Sequence, residues 1–189
     1  MSSSDPDTEL VRGLVAAHLI LEEQDVEHAL CGGIAANLYR DELRATTDVD
    51  IYVICPAPKV LSLARTFEGK GWTAHPAWRG AELLRLERDD LPRVDLLIAA
   101  TDFEKEAVRR ARPASISGQQ IRVLSPEDLI VFKLVAGRAR DYEAVAAIIN
   151  SHGNDLDRDF ILRRLSELGM EDRWARALEE AQREAHDLG

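Results

Sequence analysis

The sequence predicts an α+β fold, in which a mixed sheet of the α/β type with flanking helices is followed by a C-terminal helical bundle. Two observations predict it. As far as residue 124, short apolar runs of strand length alternate with helical patterns, whereas from residue 125 onward the apolar residues recur only at helical spacing. We therefore expect residues 1–124 to form a core that includes an N-terminal helix. Residues 125–189 are expected to form a helical region packed on that core.

The elements before residue 125 follow from hydrophobic spacing and from the residues that interrupt it. Asp7 or Thr8 is expected to cap the first helix, and a turn with Pro92 is expected to join two strands into a hairpin. The helices predicted in this part cover 9–24, 34–40, 60–70 and 103–110. The strands predicted in this part cover 28–31, 48–54, 72–75, 82–87, 94–99 and 120–123.

The helical region begins with a strong start signal. Ser125 is a favoured N-cap, Pro126 suits the first helical position, and Glu127 and Asp128 place acids in the first turn, where the helix dipole favours them. The helices predicted from there onward cover 127–137, 141–149, 157–168 and 171–187.

Composition sets limits on the class of function. Of 189 residues, 46% are hydrophobic and 31% charged, which is typical of a globular chain with a sizeable core. The formal net charge of -10 argues against a protein that coats nucleic acid, because each neutralised phosphate needs a lysine or arginine. A local basic groove stays open as an alternative, with these candidates to line it: Arg40, Arg44, Arg79 and Arg85.

Cysteine use and hydropathy indicate the cellular compartment. Cys31 and Cys55 are the only cysteines and make no disulfide framework, which favours a reducing environment. No apolar run approaches the roughly 20 residues that span a bilayer. The polar residues 1–7 lack the basic-then-apolar order of a signal peptide. We therefore expect a cytoplasmic protein.

The most informative stretch joins a glycine pair to two aspartates. Gly32 and Gly33 follow a short strand, where their backbone N–H groups can approach a phosphate at the start of a helix. Asp48 and Asp50 are two residues apart on a strand and so project from one face. Two adjacent carboxylates repel each other unless a cation lies between them, and Mg²⁺ bound to a triphosphate suits that position. Taken singly, a glycine pair is more often a tight turn, and an Asp-x-Asp more often a solvated strand edge.

A third acid lies in another apolar strand. Asp95 is flanked by Val94 and Leu96, and an unpaired carboxylate in such a strand is costly to bury. It needs a partner, for which the residues leave two alternatives. One is an ion pair with Arg93 or Arg85 across the hairpin, and the other is a role as third metal ligand.

The spacing of the glycine pair and the aspartates resembles the signature of the polymerase-β-type nucleotidyltransferase superfamily. Residues 44–50, with threonines before Asp48, are most similar to the branch that contains the AbiEii-like toxins and their uncharacterised relatives. The later run 128–133, which ends in Lys133, and Asp141 after it are also similar to that branch. The resemblance covers residues 28–150 and implies a nucleotidyltransferase-like core.

The resemblance implies a role for each matched residue. Asp48, Asp50 and Asp95 would bind the metal, which would be Mg²⁺ or, alternatively, Mn²⁺. The nucleoside triphosphate would be bound by Gly32, Gly33, Arg44, Thr47 and Lys133. The catalytic set would be Asp48, Asp50, Asp95, Lys133 and Asp141, with Asp95 or Asp141 as general base.

The late residues also have a plain structural interpretation. Lys133 lies on a helix with several apolar residues, so it can simply face solvent. Lys133, Gly137 and Asp141 follow at four-residue steps, which would bring them to one side of a continuous helix. A surface pair of Lys133 with Asp141 would contribute under about 1 kcal/mol.

The resemblance implies nucleotide transfer to an acceptor hydroxyl or phosphate, and the acceptor stays open. The toxin branch implies RNA or a protein as acceptor, together with a cognate antitoxin as partner. The antibiotic-modifying enzymes of the superfamily imply a small molecule instead. A third alternative is a non-catalytic module that binds nucleotides or regulates other proteins.

Overall fold

The computed structural model describes residues 6–77 and 82–187. Its elements confirm the predicted α+β class, with a seven-stranded mixed sheet, flanking helices and C-terminal helices. The strands are β1 (His28–Cys31), β2 (Asp48–Val53), β3 (Thr73–Ala77), β4 (Leu83–Arg88), β5 (Leu91–Ile98), β6 (Arg112–Ile116) and β7 (Gln119–Val123). The helices are α1 (Pro6–Glu23), α2 (Gly32–Asn37), α3 (Ala57–Gly69), α4 (Asp102–Arg110), α5 (Pro126–Ala136), α6 (Ala139–His152), α7 (Arg158–Glu167) and α8 (Glu171–Asp187), with a 3₁₀ turn at Gly153–Asp155.

The chain divides into two compact units. The described residues of Met1–Ile34 and Ala45–Leu124 form the first, and those of Ala35–Arg44 and Ser125–Gly189 form the second. The segment 35–44 thus belongs with the helical unit, although it precedes most of the sheet in sequence.

The sheet of the first unit has the order β3-β4-β5-β2-β1-β7-β6. Neighbouring strands are antiparallel except for two pairs, β2 with β5 and β1 with β7. In β2 and β5 the apolar side chains alternate with polar ones and point to one face, where Val49, Ile51, Val94 and Leu96 are fully buried. Helix α1 packs against β5, and α3 packs against β3. The two central strands are therefore fixed by a continuous apolar core.

Several boundaries differ from the sequence predictions for identifiable reasons. Helix α1 begins at Pro6, so Asp7 and Thr8 lie inside it and do not cap it. Strand β5 begins at Leu91, before Pro92, because the hairpin turn is only two residues long. Strand β6 was not predicted, since it has no apolar run and contains Pro113; its residues are exposed or half-buried, yet it pairs along its full length with β7.

The second unit is a set of packed helices. Helix α5 packs against α6 and α7, and α6 packs against α8. The predicted start of α5 is confirmed: Asp128 N–H donates to Ser125 Oγ over 3.1 Å, and Ser125 Oγ–H donates to the buried Asp128 carboxylate over 3.0 Å. In the part of the chain that the structure describes, no helix is long and apolar enough to cross a lipid bilayer.

Candidate active site

Three carboxylates converge on one face of the central sheet. Asp48 and Asp50 project from β2, and Asp95 projects from the adjacent parallel strand β5, directly opposite Asp50. One oxygen of each carboxylate lies within 4.8 Å of the others. The Asp95 side chain is only 10% exposed and that of Asp48 is 28% exposed, so the group is partly removed from water.

The donor set and its spacing fit a hard divalent cation. Mg²⁺ prefers oxygen ligands in an octahedron with bonds of about 2.1 Å, which places adjacent ligand oxygens roughly 3 Å apart and opposite ones roughly 4.2 Å apart. The three carboxylate oxygens are separated by at most 4.8 Å, so small side-chain rotations are enough to reach that spacing. Asp48, Asp50 and Asp95 can therefore hold such an ion together.

Two arginines balance much of this negative charge. Arg85 on β4 donates from Nε and Nη2 to the two oxygens of Asp95, over 2.9 and 3.1 Å. Arg93 on β5 donates from Nη2 to Asp48. Three carboxylates thus face two guanidinium groups, which leaves one net negative charge. Of the two sequence alternatives for Asp95, the ion pair with Arg85 is present, and Asp95 also lies within the carboxylate cluster that a role as metal ligand would require.

One atom of this arrangement is left without a hydrogen bond. Arg93 Nε is buried, lies 3.6 Å from Asp95 Oδ2, and has no hydrogen-bond acceptor among the described residues. A buried donor without an acceptor costs free energy. The hydrogen-bonding capacity of Arg93 is therefore not exhausted by its contact with Asp48.

The glycine pair is required by close approach to the aspartate segment. Gly32 has a φ of +66°, and a Cβ added there would lie 1.9 Å from Asp50 Oδ2. A Cβ on Gly33 would lie 2.6 Å from Thr46 Oγ1. Thr46 Oγ1 in turn lies 3.5 Å from Asp48 Oδ1, at the limit of a hydrogen bond. The start of α2 therefore packs closely against the segment that carries Asp48 and Asp50. Both glycines belong to the helix itself.

Lys133 and Asp141 meet in the second unit. Lys133 Nζ lies 3.9 Å from Asp141 Oδ1, and their side chains are 15% and 10% exposed. They do not share a continuous helix, because α5 ends at Ala136 and is capped by Gly137, whose φ of +65° is left-handed, before α6 begins. Asp141 also accepts the backbone N–H of Arg138 over 3.2 Å. The pair therefore forms across a turn, in a nearly buried setting that the sequence did not predict.

The remaining candidates are more dispersed. Thr47 is exposed just before β2. Arg44 belongs to the second unit, where its Nη1 lies 2.7 Å from Glu143 Oε2. Burial lowers the pKa of Arg40, also in the second unit. Arg79, another candidate for a basic groove, lies outside the described residues.

Two contacts of the site were missed by sequence reasoning. The Arg93–Asp48 contact follows from the parallel pairing of β2 with β5, in which these residues are opposite each other. Only the β4–β5 hairpin was predicted, so Arg93 was considered only as a partner of Asp95. Thr46 carried no signal of its own beyond its place before the aspartates, and its contact with Gly33 depends on how the segment returns to the sheet.

Comparisons with known proteins identify the family and the fold. A sequence profile of the family described as "Nucleotidyl transferase of unknown function (DUF2204)" matches residues 11–175. No curated protein sequence gives a match. Several solved structures share the fold at low sequence identity, and three of them illustrate its range.

The solution structure of the antibiotic-resistance factor ANT(2'')-Ia is 21% identical, with a TM-score of 0.59 over 94% of this chain and 99% of that chain. The lincosamide antibiotic adenylyltransferase LnuA, bound to lincomycin, is 15% identical, with a TM-score of 0.54. The match covers 72% of this chain and 94% of that chain. An antigenic nucleotidyltransferase-like protein from Paracoccidioides brasiliensis is 19% identical, with a TM-score of 0.53. The match covers 95% of this chain and 94% of that chain.

Proposed function

We propose that this chain, which belongs to the family of nucleotidyl transferases of unknown function (DUF2204), moves a nucleotide from a nucleoside triphosphate to an acceptor hydroxyl or phosphate with the help of Mg²⁺. The observation that carries the proposal is the convergence of Asp48, Asp50 and Asp95 from two parallel strands beside Gly32. Three carboxylates on one sheet face form a site for a hard cation, and the triphosphate is the substrate that such a cation accompanies.

The carboxylates hold the metal, with Mn²⁺ as an alternative to Mg²⁺. Bound Mg²⁺ would neutralise charge on the triphosphate and stabilise the attacking and leaving oxygens. Asp48 and Asp50 are the first ligands, because they are the more exposed acids of the group and lie beside the glycine pair. Asp95 completes the set from the adjacent strand.

The arginines supply donors for phosphate. A cation on the carboxylates takes over part of the charge balance that Arg85 and Arg93 provide in its absence. Their guanidinium groups then have N–H donors free for phosphate oxygens, which they recognise through paired hydrogen bonds. The side chains of Arg85 and Arg93 are 38% and 39% exposed, so both can reach a phosphate that approaches from solvent.

The reaction is an in-line displacement at the α-phosphorus. The acceptor oxygen forms a bond to the α-phosphorus, the bond to the bridging oxygen of the β-phosphate breaks, and pyrophosphate leaves with that electron pair. The acceptor proton passes to a base, for which Asp95 is a candidate within the carboxylate cluster. Each Asp95 oxygen accepts one hydrogen bond from Arg85, which leaves a second lone pair for the metal or the proton.

Other roles are carried over from the family resemblance. We propose that Gly32, Gly33 and Thr47 line the phosphate site and that Lys133 contacts phosphate or substrate. Arg44 is a further candidate for nucleotide binding, although it is already within 2.7 Å of Glu143. Asp141 is a second candidate for the general base.

A small-molecule acceptor is the second candidate function. The net charge of -10 disfavours a large RNA, because the 34 acidic residues outnumber the 24 lysines and arginines that could neutralise phosphates. The fold is also that of ANT(2'')-Ia and of the lincosamide adenylyltransferase LnuA, whose acceptors are antibiotics. The toxin-like alternative, with an RNA or protein acceptor and a cognate antitoxin, stays a prediction from residues 44–50 and 128–141.

A labelling experiment tests the proposal. The purified chain is incubated with each of four α-labelled nucleoside triphosphates and Mg²⁺, and with transfer RNA, cell extract protein, or a panel of hydroxyl-rich small molecules in separate arms. We expect label in one acceptor class and equimolar pyrophosphate, both lost in EDTA. Absence of labelled product with every nucleotide and every arm would favour the non-catalytic alternative and contradict the proposal.

A further inference from the structure

A second cluster of metal-binding side chains lies in the first unit, apart from the three aspartates. His18 and Glu22 are one turn apart on α1, and His28 begins β1. His18 Nδ1 lies 2.8 Å from His28 Nε2, and Glu22 Oε1 lies 3.8 Å from the same nitrogen. One ligand atom from each residue lies within 4.8 Å of the others. Both imidazole rings are buried, whereas Glu22 is exposed and gives the cluster access to solvent.

The hydrogen bond on the far side of His28 fixes its tautomer. His28 Nδ1 lies 2.7 Å from the backbone oxygen of Val26, which can only accept, so Nδ1 carries the hydrogen. In the neutral ring the lone pair is then on Nε2, the atom that faces His18 and Glu22. A backbone carbonyl that binds one ring nitrogen is a common way of orienting a histidine whose other nitrogen binds metal.

An ordinary histidine pair accounts for only part of this arrangement. A hydrogen bond from His18 Nδ1–H to His28 Nε2 satisfies those two atoms. The Glu22 carboxylate, 3.8 Å from the same His28 nitrogen, takes no part in that hydrogen bond. A cation between the three side chains would be bound by both imidazoles and the carboxylate.

We propose that His18, Glu22 and His28 form a binding site for a divalent transition metal of the zinc class. Four-coordinate zinc with bonds of about 2.0–2.2 Å places its ligand atoms roughly 3.3–3.6 Å apart. The separations of 2.8 and 3.8 Å lie on either side of that range, so small side-chain shifts are enough to admit the ion. Three protein ligands leave one position, which faces solvent beside Glu22, for a water molecule.

The donor set separates this site from the candidate active site. Two imidazoles and a carboxylate suit zinc and its neighbours, whereas three carboxylates suit magnesium. Its ligands join α1 to β1, so the metal would tie the N-terminal helix to the sheet. Metal that binds the folded chain but not the unfolded one raises its stability.

Zinc binding to the purified full chain tests the proposal. Zn²⁺ is titrated against a competing coloured chelator with excess Mg²⁺ present to fill the carboxylates, and melting temperature is followed in parallel. We expect one equivalent to bind and the melting temperature to rise. Glu22→Gln should weaken binding by about tenfold or more, because it removes one of three protein ligands and its charge. The matched control is Glu23→Gln, which alters the next residue of the helix and a carboxylate that pairs with Lys70.

His28→Gln should abolish zinc binding, and circular dichroism checks that this variant is folded. If it unfolds, the Glu22→Gln variant still tests the proposal, because Glu22 is exposed. The proposal is overturned if the native chain shows no saturable zinc binding, or if Glu22→Gln and Glu23→Gln bind zinc equally well. It is also overturned if an Asp48→Asn/Asp50→Asn variant loses the bound zinc, since the ion would then belong to the carboxylates.

Discussion

Asp50 on β2 and Asp95 on β5 are directly opposite each other, because the two strands run parallel and in register at this point. Two carboxylates in such positions repel each other. The repulsion is offset by Arg85, which donates two hydrogen bonds to Asp95, and by Arg93, which contacts Asp48. The site is therefore assembled with its own counter-charges, and adding a cation changes the balance among them.

The first prediction concerns Arg85. The substitution Arg85→Gln leaves the nearly buried Asp95 without its main partner. We therefore expect the free energy of unfolding in EDTA to fall by about 1–2 kcal/mol. This is less than for a fully buried pair, because the arginine is itself partly exposed. The more negative cluster should bind Mn²⁺ more tightly than in the native chain. Thermal melts and Mn²⁺ titrations measure both effects.

Arg88→Gln is the matched control for Arg85, since it changes an arginine on the same strand that pairs with the exposed Asp90. It should leave Mn²⁺ affinity unchanged. Equal Mn²⁺ affinity in Arg85→Gln and the native chain would show that Arg85 does not compete with a metal.

The second prediction concerns Gly32. In Gly32→Ala the new Cβ would lie 1.9 Å from Asp50 Oδ2 in a left-handed backbone, so the carboxylate or the helix start must move. We expect a cost of about 1–3 kcal/mol in stability and a loss of roughly 100-fold in nucleotide transfer. Gly118→Ala separates the two causes, because Gly118 also has a positive φ, +77°, but no described atom lies within 4 Å of its added Cβ.

Gly118→Ala should cost about 1 kcal/mol and keep full activity. If Gly32→Ala and Gly118→Ala behave alike in transfer assays, the close approach of Gly32 to Asp50 has no functional consequence.

The third prediction concerns Lys133. Its ammonium group is nearly buried beside Asp141, so Lys133→Met should leave that carboxylate with the exposed Arg138 as its remaining ion-pair partner and lower stability by about 1–2 kcal/mol. If Lys133 also contacts phosphate, as we propose, KM for the nucleoside triphosphate should rise by roughly tenfold. Lys105→Met, which removes a lysine paired with the exposed Asp102, serves as the control in the same kinetic assay. A loss of stability with unchanged KM would assign Lys133 a purely structural role.

The fourth prediction concerns pH. Burial lowers the pKa of His18 and His28 in the folded chain below the value near 6.5 of the unfolded chain. As pH falls below about 6.5, the unfolded state therefore binds protons that the folded state does not, and stability declines. Each histidine contributes a slope of up to about 1.4 kcal/mol per pH unit in that window. Above it neither state is protonated, and these groups add no further pH dependence.

Denaturant melts between pH 7.5 and 5.5 in EDTA measure the slope. The titratable and charged neighbours that act on His28 are His18, Glu22 and Arg122. His28→Gln should flatten the decline, whereas His75→Gln, a change at an exposed histidine, should not. An unchanged slope in His28→Gln would contradict the proposed cause.

Much of the fold could be predicted from local patterns. The alternation in residues 48–53 and the start signal at Ser125 led to β2 and α5, since both depend on neighbours in sequence. Strand β6 could not be predicted, because it is held by pairing with β7 and not by burial of its own side chains.

The candidate site shows the same division. Asp48 and Asp50 could be placed on one face from their spacing alone. That Asp50 faces Asp95 depends on the parallel pairing of β2 with β5, whose partners are far apart in sequence. The Lys133–Asp141 contact was anticipated for the wrong reason, since it arises across the turn at Gly137 and not along one helix.

The most direct test of the central claim is Mg²⁺-dependent nucleotide transfer by Asp50→Asn, compared with Asp89→Asn in the exposed turn between β4 and β5. Asparagine keeps the shape of the side chain but removes the charge that a metal needs. We predict that Asp50→Asn lowers transfer by at least about 100-fold while its melting temperature in EDTA stays near the native value, and that Asp89→Asn retains full activity. Full transfer activity in Asp50→Asn, with undiminished dependence on Mg²⁺, would contradict the assignment of this site.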